Sequence, residues 1–281
     1  MRKIKIVSDS SSDLLMLDNV EFASSPMKII TAEREFVDDE NLNVDEMANF
    51  FNQYKERSQT SCPNPADWLD AFGDADDIIC ITITSALSGS YNSACTAKEL
   101  YETENEEKRV FVLDTLSAGP EITLIVRKLE GLVKSGIAYE KICEKIQEYT
   151  KRIGLVFMLK SLKNFAANGR VSPLVAKLVG FAGICIVGKA SDEGTLEPTH
   201  KCRGENRSLE TLINDLKELG LKTGKVSIGH CQNEGAATKL KQMIESTFEK
   251  AQVEIHKLRG LCSFYAEKRR TFGWFRKNIV L

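Results

Sequence analysis

Hydroxyl and amide side chains crowd one stretch of the sequence, Asp76–Ala94, directly after an uncharged run. The run Ile78–Ile83 contains only Ile, Cys and Thr, which predicts a strand buried on both faces. Ser, Thr and Asn then surround Gly89 before a predicted helix over Ala94–Leu100. A helix start offers free N–H groups to an anion, and glycine lets the backbone approach a ligand. The stretch therefore indicates either an anion site or an ordinary capped junction.

Two further predicted strands end in small polar residues. Ile4–Val7 is followed by Asp9 and Ser10, which either contact a ligand or brace the loop and cap a helix that starts near Asp13. Arg109–Asp114 is followed by Thr115–Gly119. Because strand ends on one edge of a parallel sheet lie close together, three such endings predict a ligand-binding edge.

A fourth candidate segment holds Thr60 and Ser61 just before Pro63 and Pro65. Proline fixes the backbone and ends a helix, so this pair predicts an extended loop. Such a loop holds a hydroxyl group in place for a ligand. It is equally a common way to end one helix and begin the next.

The bulk composition excludes several functional classes. The net charge of −2 gives no indication of a nucleic-acid surface, and no apolar run approaches the roughly 20 residues of a membrane span. The amino terminus predicts a first strand and not a signal peptide. Eight scattered cysteines form no CxxC pair or Cys/His cluster, which argues against a metal site and favours a reducing cytoplasm. No cofactor is predicted.

The order of predicted elements divides the chain in two. Strands alternate with helices over the first half, which predicts a mostly parallel, Rossmann-like sheet with right-handed crossovers. The second half adds a returning strand over Leu196–Cys202 and two more strand–helix units. We therefore predict an α/β protein with a Rossmann-like domain over residues 1–152 and a second α/β domain over residues 153–281.

With these segments identified, the chain resembles the DegV family over almost its whole length. Seven segments carry the resemblance in order: Ile6–Leu14, Gln59–Trp68, Ile81–Ala94, Val112–Ala118, Leu162–Ser172, Lys201–Gly204 and Ile228–Asn233. The most specific is ITITSALSGSYNSA, which is similar to the family's Leu-Ser-Gly-x-Tyr turn. Each segment alone is weak, but their shared order is a strong signal.

The resemblance implies a two-domain DegV-like fold with a ligand tunnel between the domains. It implies non-catalytic binding of a long-chain fatty acid as the ligand. Some family members are the acyl-carrying subunit of a bacterial fatty acid kinase, whose separate kinase subunit phosphorylates the carboxylate. A kinase subunit is accordingly an expected partner, in phospholipid synthesis. We expect a cytoplasmic monomer that neither spans a membrane nor binds nucleic acid.

The residues expected to hold the fatty-acid carboxylate are donors, because a buried carboxylate needs hydrogen bonds. They are Thr60 or Ser61, Ser88 with the N–H groups around Gly89, and Tyr265. Tyr265 stands where the family usually has a His, and the family's Gly-Pro-Gly is replaced by charged residues. A phenol can still donate a hydrogen bond, but the roles of that His and of the glycines are in question.

Arg170 follows Gly169 and Arg203 precedes Gly204. The resemblance implies that both arginines face a kinase partner or the phosphorylated head group and not the buried ligand, and guanidinium is suited to bind phosphate at two points. Exposed loop arginines are the alternative. The hydrocarbon tail is expected among the apolar residues from Leu174 to Phe181.

A serine-dependent acyl hydrolase is the alternative function. It would use Ser88 as the nucleophile and would need His200, His230 or His256 beside it. The sequence LSGS around Ser88 is not a G-x-S-x-G elbow, which argues against this function.

Overall fold

The computed structural model describes residues 2–172, 183–267 and 270–276, which form three β-sheets packed with helices. The strands are β1 Ile4–Asp9, β2 Glu21–Ser25, β3 Lys28–Ile30, β4 Glu35–Val37, β5 Gln59–Ser61, β6 Asp77–Thr82, β7 Arg109–Asp114, β8 Ile153–Leu159, β9 Ile184–Ala190, β10 Leu196–Arg203, β11 Gly224–Cys231, β12 Ala251–Lys257 and β13 Arg270–Arg276. The helices are α1 Val44–Gln53, α2 Pro65–Phe72, α3 Ser90–Glu104, α4 Pro120–Lys134, α5 Tyr139–Thr150, α6 Lys163–Ala167, α7 Glu205–Glu218, α8 Glu234–Thr247 and α9 Gly260–Ala266.

The first sheet is parallel, with strand order β2-β1-β6-β7. Side chains of β6 alternate between two apolar cores, because successive residues of a strand point to opposite faces. Ile79 and Ile81 pack with α4 and α5, whereas Ile78 and Cys80 pack with α2 and α3. Burial on both faces explains the uncharged run in β6 and confirms the predicted parallel α/β architecture.

The carboxyl ends of β1, β6 and β7 lie on one edge of this sheet, as the three polar strand endings predict. Asp9 ends β1, and its carboxylate accepts hydrogen bonds from Ile83 N–H (2.9 Å) and Ser90 Oγ (2.6 Å). It therefore braces the loop between β6 and α3. The prediction of a helix that starts near Asp13 is wrong. The short 3-10 helix Ser10–Ser12 forms instead, and Asp13 ends it at a positive φ of 57°.

The second sheet has three antiparallel strands in the order β4-β3-β5. Strands β3 and β4 form an antiparallel hairpin in which Lys28 pairs with Val37. In β5, Thr60 pairs with Ile29, and α2 begins at Pro65 with a capping box formed by Asn64 and Asp67. This small sheet therefore positions Thr60 beside the carboxyl edge of the parallel sheet.

The third sheet has six strands in the order β10-β9-β8-β13-β11-β12. One face packs on α7 and α8 through residues such as Val156, Leu212 and Leu240. The opposite face of β8 presents Leu155 and Phe157 to a separate apolar cluster that also holds Leu258. Strand β13 lies in the middle of this sheet, between β8 and β11, a position that the sequence analysis does not predict.

Helix α9 connects the third sheet to the other two. Phe264 packs with Ile29, Phe36 and Met47 around the small sheet, whereas Leu261 joins the core of the parallel sheet. Its amino terminus is held by Asp38, whose carboxylate accepts the N–H groups of Gly260 and Leu261, each at 2.9 Å.

The division into domains at residue 152 stays a prediction. None of the helices in the described ranges has the length and apolar character to cross a bilayer.

Candidate functional site

A cavity of about 340 Å³ opens where the ends of β5 and β6 meet α9 and the turn after α6. Seven residues were expected to contact the fatty acid, a phosphate group or a partner, and six of them line the cavity: Thr60, Ser61, Ser88, Gly89, Arg170 and Tyr265. Arg203 is exposed at the end of β10 and is not in the cavity wall. Residues separated by more than 200 positions in the chain are therefore brought together at one place.

The hydroxyl groups of Thr60 and Tyr265 form the centre of the polar wall, with Oγ1 and the phenol oxygen 2.8 Å apart. The N–H of Thr60 donates to Asn168 Oδ1 at 3.2 Å, and the Tyr265 ring stacks on Phe165 with centroids 4.6 Å apart. Burial raises the pKa of Tyr265, so the phenol keeps its proton. The pair can donate at least one hydrogen bond to an anionic ligand.

Ser88 and Gly89 form the second part of the polar wall, immediately before α3. Ser88 Oγ accepts a bond from Ser90 N–H at 3.3 Å, and Gly89 is the N-cap of the helix. A Cβ on Gly89 would lie 3.3 Å from Cys62 Sγ. The absence of a side chain at Gly89 therefore lets the start of α3 pack closely against the segment that follows β5. Ser61 lines the cavity but donates its hydroxyl proton to the carbonyl of Cys62 at 3.1 Å, so this proton is already used within the protein.

Arg170 lies in the cavity wall itself, although the sequence interpretation placed it away from the buried ligand. Its Nε donates to the carbonyl of Leu87 at 3.0 Å, and its NH1 donates to the carbonyl of Asn168. Asn168 and the positive φ of 73° at Gly169 form the turn that directs the arginine inward. These bonds fix a guanidinium beside the hydroxyl groups of the polar wall.

The remaining cavity surface is mainly apolar. It includes Ala118, which lies in the polar ending predicted at the ligand-binding edge, and five residues that the sequence analysis did not assign to the site: Ile83, Pro120, Leu155, Leu196 and Leu258. Ala118 and Pro120 follow β7, so the polar ending of that strand was an available signal. The tail residues proposed from sequence, Leu174 to Phe181, lie outside the described residues.

The electrostatics of the cavity favour a single negative charge. Among the described lining residues there is one cation, Arg170, and no carboxylate. Burial raises the pKa of the thiols of Cys62 and Cys262, which keeps both protonated. The described part of the chain contains no group of three or more residues suited to hold a metal ion.

The three histidines do not approach Ser88. His200 bonds to Thr199, His230 accepts the N–H of Asn233, and His256 lies 3.3 Å from Ser227. No histidine is present among the described residues of the cavity wall. The base that a serine hydrolase would need is therefore not in place there.

We predict that Gly229→Val narrows the cavity. A Cβ at Gly229 would lie 2.5 Å from Leu258 Cδ2 and 2.5 Å from Pro120 Cγ, and both residues line the cavity. Relief of these close contacts displaces Leu258 and Pro120 toward the ligand, and overpacking of this kind costs about 1–3 kcal/mol. The affinity for an anionic apolar dye should therefore fall about tenfold. Fluorescence titration measures this affinity. Gly235→Val is the matched control, because a Cβ there meets nothing within 4 Å; equal affinities for the two variants would contradict the prediction.

The chain is similar to known proteins over nearly its whole length. A family model described as uncharacterised protein, DegV family, matches residues 3–273. A DegV domain-containing protein of Streptococcus pneumoniae is 39% identical over 268 residues, covering 94% of this chain and 95% of its own.

Two similar solved structures hold fatty acids. A DegV family protein from Eubacterium eligens loaded with heptadecanoic acid is 38% identical, with a TM-score of 0.95 over 98% of this chain and 100% of its own. The Streptococcus pneumoniae Fatty Acid Kinase (Fak) B3 protein loaded with linoleic acid is 37% identical, with the same TM-score and the same coverage of both chains.

Proposed function

Because this chain belongs to the DegV family, we propose that it binds a long-chain fatty acid without catalysing its turnover. The carboxylate lies at the polar wall and the hydrocarbon along the apolar wall of the cavity. The observation that carries this proposal is the division of one cavity into a donor-rich wall with a single cation and an apolar remainder.

The energetics of such a ligand suit this division. Burial of roughly fifteen methylenes at about 0.8 kcal/mol each gives a large driving force before the entropy losses of binding. The carboxylate must receive hydrogen bonds when it leaves water. We assign this role to the hydroxyls of Thr60, Ser88 and Tyr265 and to the N–H groups at Gly89. Ser61 becomes a further donor when its hydroxyl rotates away from the Cys62 carbonyl.

Arg170 supplies the positive charge that balances the ligand. It lies within the cavity wall beside the proposed donors, so its guanidinium can face either the carboxylate or a phosphate group attached to it. We further propose that the protein presents the carboxylate to a kinase subunit, as a cytoplasmic monomer. The exposed Arg203 is then a candidate contact for that partner.

Mass spectrometry of the purified protein tests the proposal. We expect a long-chain fatty acid to accompany the protein under native conditions and to be released on denaturation, in a ratio of about one per chain. Protein stripped of lipid should take up added fatty acid. A stripped protein that is folded but takes up none would contradict the proposal, and turnover of an acyl ester that is lost in Ser88→Ala would favour the hydrolase.

A further inference from the structure

A second cleft of about 570 Å³ lies next to the apolar part of the cavity. It differs from the cavity because its wall includes charged and amide side chains, among them Glu121, Gln147 and Lys151. Leu155 is the one described residue that lines both spaces. The two spaces therefore adjoin at Leu155, and the polar surroundings lie on the far side of this residue from the cavity.

Glu121 is buried in this region, at 4% exposure, in the first turn of α4. Its carboxyl accepts a hydrogen bond from Ser117 Oγ, and Ser117 is also buried, at 3% exposure. No ion pair is formed by Glu121 with any residue in the described ranges. Burial raises its pKa to about 7, so near neutral pH a large fraction of the group is a carboxylic acid that can both donate and accept.

Ser117 and Glu121 flank a segment of the chain that lines the apolar part of the cavity. Ala118, Gly119 and Pro120 line the fatty-acid cavity, and they are flanked in sequence by Ser117 on one side and Glu121 on the other. Among the described residues, a hydroxyl is the one hydrogen-bond partner of this buried acid, and such burial is unfavourable at a site that contacts only hydrocarbon. The acid is a suitable partner for an oxygen atom on a ligand.

We infer that the site accepts acyl chains that carry a hydroxyl group remote from the carboxylate, with Glu121 as the hydrogen-bond partner of that hydroxyl. The inference rests on the proposed fatty-acid binding and specifies the ligand class. The carboxylate form of Glu121 accepts a hydrogen bond from the ligand hydroxyl and the acid form donates one to it, while the hydrogen bond from Ser117 keeps the carboxyl group oriented. Leu155 marks the point at which the chain passes from the cavity into the second cleft.

The test compares three ligands: octadecanoic acid, its ω-hydroxy derivative and a mid-chain hydroxy derivative. Affinities are measured by titration calorimetry for the wild type, Glu121→Gln, Glu121→Leu and the control Glu148→Leu, which alters an exposed glutamate of α5. The measured quantity is the ratio of the affinity for each hydroxy acid to the affinity for octadecanoic acid. We expect Glu121→Leu to lower this ratio about tenfold for at least one hydroxy acid. Glu121→Gln, which keeps a donor and an acceptor, should retain the wild-type ratios, as should Glu148→Leu.

The outcomes separate this inference from the proposed function. If the wild type binds octadecanoic acid but Glu121→Leu leaves both hydroxy-acid ratios unchanged, the inference is overturned and fatty-acid binding stands. If Glu121→Leu weakens all three acids equally, Glu121 has only a structural role and the inference is again overturned. If the folded wild type binds none of them, the proposed function itself fails.

The stability of these variants provides a check on their folding. The pKa of Glu121 rises from 4.5 to about 7 on folding, so the native state binds more protons than the unfolded state between these values. The free-energy cost of burying the ionised carboxylate is absent below pH 4.5, where both states are protonated. This cost grows as the pH rises and reaches its full value above about pH 7. Glu121→Leu should therefore be no less stable than the wild type at pH 8, as thermal unfolding at several pH values will report.

Discussion

Thr60→Asp should reduce the affinity for a long-chain fatty acid by more than 100-fold while the protein stays folded. Thr60 lies in the polar wall, 2.8 Å from the phenol oxygen of Tyr265. Two negative charges about 4 Å apart repel by about 4 kcal/mol at an effective dielectric constant of about 20. Arg170 offsets part of this repulsion, which leaves a loss of about 100-fold or more in affinity. Titration of lipid-free protein with oleic acid measures the change.

Thr60→Asn is the matched control for the charge. Asparagine has the shape of aspartate and no charge, so it should weaken binding by about tenfold or less, as expected for one altered neutral hydrogen bond. Both variants should unfold at similar temperatures because the side chain is only half-buried. If the two variants bind equally well, the carboxylate does not lie at Thr60 and the proposed orientation of the ligand is wrong.

Asp38→Asn should destabilise the fold by about 3 kcal/mol, because removal of one partner leaves buried groups unpaired. The Asp38 carboxylate is fully buried and accepts the N–H groups of Gly260 and Leu261. Arg259 Nε lies 3.9 Å away. Asparagine offers one oxygen, and its NH₂ group would face an N–H donor. We expect the thermal midpoint to fall by about 10 °C for a chain of this size.

The same change should also weaken lipid binding, since Leu261, Cys262 and Tyr265 of α9 all line the cavity. Asp13, which accepts the N–H of Arg259 at 2.7 Å, has its pKa raised to about 8 by burial and cannot replace the lost charge near neutral pH. Asp70→Asn, at an exposed position on α2, is the control and should shift the midpoint by less than about 2 °C. Equal midpoints for the two variants would show that Asp38 does not anchor α9.

The polar edge of the parallel sheet was accessible from sequence alone. The charge-free run before Ser88 and Gly89 is typical of a strand buried on both faces, and a parallel sheet places strand ends side by side. The order of motifs added Thr60 and Tyr265. Local pattern thus determined which residues could bind an anion, because strand periodicity and helix starts depend on neighbouring residues.

The tertiary structure alone decided how these residues are held and where the hydrocarbon would lie. Asp38 is an ordinary acidic residue in the sequence VDDE, yet it anchors a helix 222 positions later. The place of β13 in the third sheet, the inward turn of Arg170 and the burial of Glu121 are likewise absent from any local pattern. Each of these features depends on which distant segments pack together. The packing of the whole core determines that arrangement, because no short stretch of the chain specifies its own partner.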